Sequence, residues 1–486
     1  MAGTGMIIAS FVAFLTLFIG VGLASALKAK KTRTDYYLAG REVSPWLAGL
    51  SAVATNNSGY MFIGVIGFTY ATGLAAIWLM VGWILGDYIA SLFIHRRLRE
   101  ATARTKEASF AAVLAAWNND GFAVWRRIAA ILMVVFLGAY AAAQISAGGK
   151  ALQGVLDWNP KTGAVASAVM ILAYSAAGGI RASIWTDAAQ SLVMLGAMSL
   201  LFVAGVTGLG GPQTALAQMG EIPGFLDWFP PDLILPGAAG VVFFVIGWMF
   251  AGLSVIGQPH IMVRFMALDK PDNMTRARAW YYGYFTLFYA LATGVGMLSR
   301  LYLPDLGALD PELALPTMAL ELLPAIFVGM ILAGIFAATM STADSLVLSC
   351  SAAITHDLLP ERVESSWALK TATAAVTLAA LAFALDENRS VFSLVILAWS
   401  TLASAFGPLL AIYALKRRIG EASAVAAMIG GVATALAWRA AGLHEAVYEG
   451  MPGMLTGFAI AWTLSRPAAA RATRRAATAP AVSAKR

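Results

Sequence analysis

The hydrophobic residues of this 486-residue chain fall in long unbroken blocks, not at the 2- or 3.6-residue spacing of amphipathic strands and helices. A block of about 20 apolar residues is the length of a membrane-crossing helix. Thirteen such blocks can be read, centred near Leu15, Asn57, Ile84, Val135, Ala168, Ala197, Phe244, Leu291, Ala333, Val376, Leu402, Ile429 and Gly457. Short connections separate most of them, so residues 1–465 read as one all-α polytopic membrane domain. Residues 466–486 read as a basic Ala/Pro/Arg tail that cannot build a core. The first block ends in Ala24-Ser25-Ala26, which resembles a leader cleavage site. No positive charge precedes it and its apolar run exceeds a signal core, so a retained helix is expected.

Composition sharpens this picture. Charged residues make up 12% of the chain, against roughly 25% in soluble domains, too few to cover a globule in water. A single cysteine, Cys350, rules out a disulfide framework within the chain, and four scattered histidines form no zinc motif. The net charge of +7 points to membrane orientation and not to nucleic acid. Basic residues crowd alternate connections: Lys28, Lys30, Lys31 and Arg33; Arg96, Arg97 and Arg99; Arg264, Lys270, Arg276 and Arg278; Lys416, Arg417 and Arg418; and the tail. That asymmetry marks the cytoplasmic face, with the N-terminus outside and the C-terminus inside.

Three polar interruptions stand out. The second block contains Ala54-Thr55-Asn56-Asn57-Ser58-Gly59-Tyr60. Two adjacent amides in hydrocarbon are costly unless they clasp another helix or line an unwound segment whose carbonyls can meet a cation. The seventh block carries Gly247, Gly252, Ser254, Gly257 and Pro259, a second candidate break. In the ninth, Ala338, Ser341, Thr342 and Ser345 lie at i, i+3, i+4 and i+7, one helical face. Such a face suits either a small-residue packing seam or oxygen ligation of a hard cation. Among the carboxylates, Asp187 and Asp344 are candidates to hold a proton or an ion, while Asp87 reads as structural or lumen-facing and Asp357 as a helix-end residue.

Several blocks in one order carry a family resemblance: Asp35-Tyr-Tyr-Leu-Ala-Gly-Arg41, Leu50-Ser-Ala, Ser58-Gly59, Gly178-Gly179 with Trp185-Thr-Asp187, Gly257-Gln-Pro-His-Ile261 with Arg264-Phe-Met-Ala267, and Met340-Ser-Thr342 with Ile354-Thr355 and Asp357-Leu358. The chain resembles the sodium:solute symporter family, nearest to the bacterial sodium/proline permeases. The resemblance implies a leucine-transporter-type fold, two five-helix inverted repeats (spans two to six and seven to eleven) after a first helix and before two C-terminal helices. It implies a sodium site of the Ala54, Asn57 and Ala338 carbonyls with the Ser341 and Thr342 hydroxyls, and a second cation position at Asp187, Asp344 and Ser345.

By the same resemblance the solute would meet Asn56, Tyr60, Tyr140, Gln144 and Ser254. The permeases carry an aspartate at the position of Asn56, a tryptophan at Tyr60, a tryptophan and a tyrosine at Ala251 and Val255, and a glycine at Gln144. The aromatic walls for a pyrrolidine ring are therefore expected to be missing. The function implied is sodium-coupled symport of a small organic solute by alternating access in a bacterial inner membrane. A proline-like amino acid comes first, with a short carboxylate or betaine, sodium- or proton-coupled, as the alternative. A symporter-like sensory module is the remaining reading. Na+ is the expected co-transported ion, with no organic cofactor; the expected partners are the solute and lipid, and the expected state is a monomer or weak oligomer.

Overall fold

The computed structural model describes residues 2–26, 33–118, 121–175, 179–233, 235–305, 310–359, 366–386 and 390–467. Lys28, Lys30, Lys31, Gly178 and the tail beyond residue 467 lie outside them, although all were singled out in the sequence. The principal helices are α1 (Ala2–Ala26), α2 (Pro45–Gly59), α3 (Val65–Thr72), α4 (Ile77–Thr105), α5 (Ala123–Leu156), α6 (Pro160–Ser175), α7 (Ile180–Gly208), α8 (Gly237–Leu253), α9 (Pro259–Met266), α10 (Met274–Tyr302), α11 (Ala325–Ala352), α12 (Ser366–Ala384), α13 (Val391–Ala414), α14 (Glu421–Ala440) and α15 (Gly450–Leu464). Each of the thirteen predicted centres falls on one of these helices, with α2–α3 and α8–α9 each forming a single interrupted span.

Both predicted interruptions are real. Ser58 takes φ 44° and ψ −178° inside α2, and a wide turn over Tyr60–Gly64 leads into α3. That backbone region is close to glycine-only and costs on the order of 1–3 kcal/mol, so the surroundings must hold it. In the second interrupted span, α8 tightens into a 3-10 turn at Ser254–Gly257, and Gln258 is extended before Pro259 opens α9. Proline fits the first turn of a helix, where no N–H is needed.

Helix α1 belongs to the bundle. Ser10 donates to the Ile326 carbonyl, and Phe11 meets Phe336 edge-on at 5.0 Å. Helices α4 and α8 approach so closely that a Cβ on Gly86 would collide with the Met249 carbonyl, and one on Gly252 with the Trp83 carbonyl. Small residues give membrane helices this contact where no hydrophobic drive exists between them. The central helices α11 and α13 are buried almost throughout.

The ends of the bundle are tied differently. At the end bearing the basic connections, Arg99 donates to the Leu268 and Asp269 carbonyls, and β1 (Arg417–Arg418) pairs antiparallel with β2 (Arg466–Pro467). At the opposite end Glu312 accepts from the Val391 and Phe392 N–H groups and the Ser390 hydroxyl, capping α13, while Lys150 of α5 bridges Glu312 and Asp310 at 2.6 Å each. Arg264 departs from its sequence reading. It lies within α9 and is buried, not in a loop.

Candidate functional site

The break in α2 is held by one face of α5. Tyr140 donates to the Ser58 hydroxyl oxygen at 3.1 Å, and that oxygen also accepts the Tyr60 N–H at 3.1 Å. One turn on, Gln144 accepts the Gly59 N–H through Oε1 at 2.9 Å. Positions 140 and 144 share a helical face. Gln144 thus satisfies the Gly59 N–H, and Tyr140 holds the Ser58 hydroxyl that accepts the Tyr60 N–H, two backbone donors at the break.

Helix α11 meets the other side of the break. The Ser341 hydroxyl lies 3.2 Å from the Ala54 carbonyl and 3.1 Å from the Ala338 carbonyl. Thr342 donates to the Thr55 carbonyl at 2.9 Å. Of the five oxygens expected at the sodium position, those of Ala54, Ala338 and Ser341 converge directly, and Thr342 joins through Thr55, which the sequence reading did not name for sodium. The fifth, the Asn57 carbonyl, accepts the Tyr60 N–H, while both side-chain amide atoms of Asn57 are buried and without a partner. A buried unpaired amide is costly. An all-oxygen set with spare lone pairs is the chemistry that suits a hard cation.

The second expected cation position is built otherwise. Arg264 is 1% exposed and its guanidinium reaches Asp187 at 3.2 Å, Ser183 at 3.1 Å, Ser51 at 3.3 Å, the His260 carbonyl at 2.5 Å and the Ser345 hydroxyl. Asp187 also accepts from Ser51 at 2.6 Å. A cation of the protein itself therefore stands between Asp187 and Ser345. Asp344 lines a cavity with Leu15, Ile19, Met170 and Thr186, to which Ser183, a partner of Arg264, also contributes. A further cavity runs from Arg264 and Ser345 to Tyr37 and Ser109, toward the end with the basic connections.

The expected solute residues divide. Tyr60 stacks on Phe392 at 5.3 Å and meets Trp83 at 5.6 Å, with its hydroxyl unpartnered. Gln144 keeps a buried, unpartnered Nε2. Asn56 turns its amide to the Tyr281 hydroxyl at 2.5 Å. Ser254 is engaged with Tyr448 at 2.9 Å and the Phe250 carbonyl at 2.7 Å, not with Asn56, Tyr60, Tyr140 or Gln144.

Two tryptophans on other helices lie beside these residues. Trp399 of α13 donates its indole N–H to the Ala251 carbonyl at 2.8 Å. It meets Trp83 at 5.1 Å and Tyr140 at 6.5 Å. A signal for both existed. Tryptophan favours the ends of membrane spans, and these two sit inside theirs. Among the described residues no cluster of three or more His, Cys, Asp or Glu side chains could hold a metal.

The sodium:solute symporter family model matches residues 36–431. The chain is 30% identical to the high-affinity proline transporter PutP of Bacillus subtilis (strain 168), over 88% of this chain and 91% of that protein. It is 30% identical to the osmoregulated proline transporter OpuE of the same organism (93% and 94%) and 29% identical to the sodium/proline symporter of Escherichia coli K12 (89% and 87%). Among solved structures, a Na+-coupled sialic acid symporter in a substrate-bound outward-open state superposes with a TM-score of 0.75, at 20% identity over 95% of this chain and 98% of that one. The nucleobase-cation-symport-1 transporter Mhp1 superposes at 0.56, with 14% identity over 90% and 97%. The fold is that of these transporters, an inverted-repeat fold of the leucine-transporter type.

Proposed function

The chain belongs to the sodium:solute symporter family, a secondary transporter and not an enzyme, and from that premise we propose where its ion and solute bind. It resides in the inner membrane and couples solute movement to sodium. One sodium ion sits where α2 breaks against α11, held by the carbonyls of Ala54, Asn57 and Ala338 and the hydroxyls of Ser341 and Thr342, with the Thr55 carbonyl beside them. The observation that carries this is the meeting of the Ser341 and Thr342 hydroxyls with the Ala54 and Thr55 carbonyls at a backbone break. The ion takes the place of those hydrogen bonds, with each hydroxyl keeping its hydrogen and turning a lone pair to the ion.

The solute is a proline-like amino acid bound between the broken helices, against Tyr60, Trp83, Trp399 and Tyr140, with Asn56 and the free Nε2 of Gln144 as polar partners. Ser254 supports that wall through Tyr448. Sodium ties α2 to α11 and so favours the outward-facing form. Release of the ion toward the cavity at Arg264 and Ser345 then frees the solute inward. The membrane potential contributes about 2.3 kcal/mol per charge per 100 mV. The Arg264 guanidinium supplies the positive charge beside Asp187 and Ser345, so one sodium per cycle is the stoichiometry this arrangement favours. The N-terminus is periplasmic and residues 466–486 are a cytoplasmic tail, because the basic connections share one end.

Uptake of radiolabelled L-proline into proteoliposomes with an imposed sodium gradient tests both parts. Sodium-dependent uptake supports the reading, and sodium-driven uptake of glycine betaine with no proline uptake replaces the solute. Betaine is the second reading because a ring cluster with no carboxylate in it suits a methylated ammonium.

A further inference from the structure

Asp87 lies in the middle of α4, fully buried. Its Oδ2 accepts from Tyr281 at 2.7 Å and its Oδ1 from Tyr282 at 2.8 Å. No cationic side chain pairs with it among the described residues. The Tyr281 oxygen also accepts from Asn56 Nδ2 at 2.5 Å. A hydrogen-bonded line therefore runs from a carboxylate inside the membrane to the residue beside the α2 break. A carboxylate in this setting, without a counter-ion, is functional by default.

The line has two self-consistent orders. With Asp87 ionised, Tyr281 donates to it, Asn56 Nδ2 donates to Tyr281, and the Asn56 carbonyl oxygen is left to face the break. With Asp87 protonated, its O–H donates to Tyr281, whose own hydrogen then needs an acceptor. Asn56 supplies one by turning its amide over, which puts Oδ1 on Tyr281 and leaves Nδ2 facing the break. Tyr282 can turn its hydrogen to the neighbouring Ser91 hydroxyl.

We infer that Asp87 is a proton-binding site that sets which end of the Asn56 amide faces the break. The inference rests on the sodium reading above. An oxygen turned to the break favours a cation there and a turned NH2 opposes it, so proton and sodium exclude each other in part. Apart from Tyr281 and Tyr282, no titratable or charged side chain on the surrounding helices is hydrogen-bonded to Asp87 among the described residues, and the Arg278 charge acts on Tyr282. Tyr88 packs edge-on to Tyr282, His95 stacks on Phe265, Arg278 reaches Thr275, Arg264 is held by Asp187, and Arg99 by two carbonyls. From α8, Met249 and Leu253 pack against Gly86 and carry no titratable group.

The test is calorimetric titration of NaCl into the purified full chain, in two buffers of unlike ionisation enthalpy and over a series of pH values. The wild type is expected to release protons as sodium binds, with affinity falling up to about tenfold per pH unit on the acid side, the limit for one linked proton. Asp87→Asn carries a permanent donor and is expected to bind sodium weakly, at every pH alike and without proton release. Tyr281→Phe cuts the line while leaving Asp87 and Tyr282 in place, and is expected to bind sodium with no pH dependence. Sodium binding without proton exchange in the wild type, or proton release retained in either variant, overturns the proposal while the sodium site stands. No sodium heat at all overturns that site and this inference with it.

Discussion

Thr342 of α11 donates its hydroxyl to the carbonyl of Thr55 at 2.9 Å, joining two stretches 287 residues apart at the point where α2 breaks. Ser341 does the same toward Ala54. A Ser341→Ala, Thr342→Ala double variant should keep its fold, since the changes remove two hydroxyls and one methyl from a packed helix. Its sodium activation of uptake should be lost or moved to concentrations at least tenfold higher. Unchanged sodium activation in proteoliposomes would remove the assignment.

Gln144 holds the Gly59 N–H with a neutral oxygen. Replacing it with alanine should leave that buried donor bare, at about 1–3 kcal/mol. The melting temperature of purified protein should fall, and apparent solute affinity should fall with it. A Gln144→Glu variant, which keeps an acceptor in place, should recover the melting temperature. Equal melting of all three would show that Gln144 does not hold the break.

Arg264 and Asp187 should behave as a pair. Removing the cation alone with Arg264→Met strands a buried carboxylate, at about 3–5 kcal/mol. Arg264→Met combined with Asp187→Asn should be less damaging than the single change. Denaturation of the two singles and the double gives the coupling energy, and additive losses would show that the pair is not energetically joined.

Glu312 caps α13 and holds Lys150 at the end away from the basic connections. Glu312→Ala should loosen that end by about 1.5–3 kcal/mol, the range for hydrogen bonds to a charged group. Phe392, which covers Tyr60, is a direct reporter. A cysteine placed there, with Cys350 changed to serine, should react with a membrane-impermeant thiol reagent at least tenfold faster in the Glu312→Ala background. Equal rates would dissociate the cap from access to Tyr60.

Gly86 is a packing test without chemistry. A Gly86→Leu variant should force α4 and α8 apart and fail to yield stable protein. A Gly138→Leu variant, where nothing lies within 4 Å of the added carbon, should be tolerated. Comparable yields of both would contradict the close helix contact.

The sequence by itself determined the thirteen spans and both helix breaks. Apolar block length and the polar runs at Asn56-Asn57 and Gly257-Gln-Pro259 are local properties, readable without coordinates, although the amide pair alone also allowed a clasp between helices. It also determined the family and the Ser341–Thr342 face, since hydroxyls at helical spacing are visible without coordinates. Only the tertiary structure decided what fills each site. Arg264 looked like a loop charge, yet it is folded inward against Asp187 because a carboxylate and four other polar groups converge there to receive it. Trp83 and Trp399, which the sequence reading did not single out, meet each other at 5.1 Å beside Tyr60 and the Ala251 carbonyl. Asp87 gained its link to Asn56 through Tyr281, a helix away in space and 194 positions away in the chain. Partners this distant leave no spacing in the sequence, because it is helix packing that selects them.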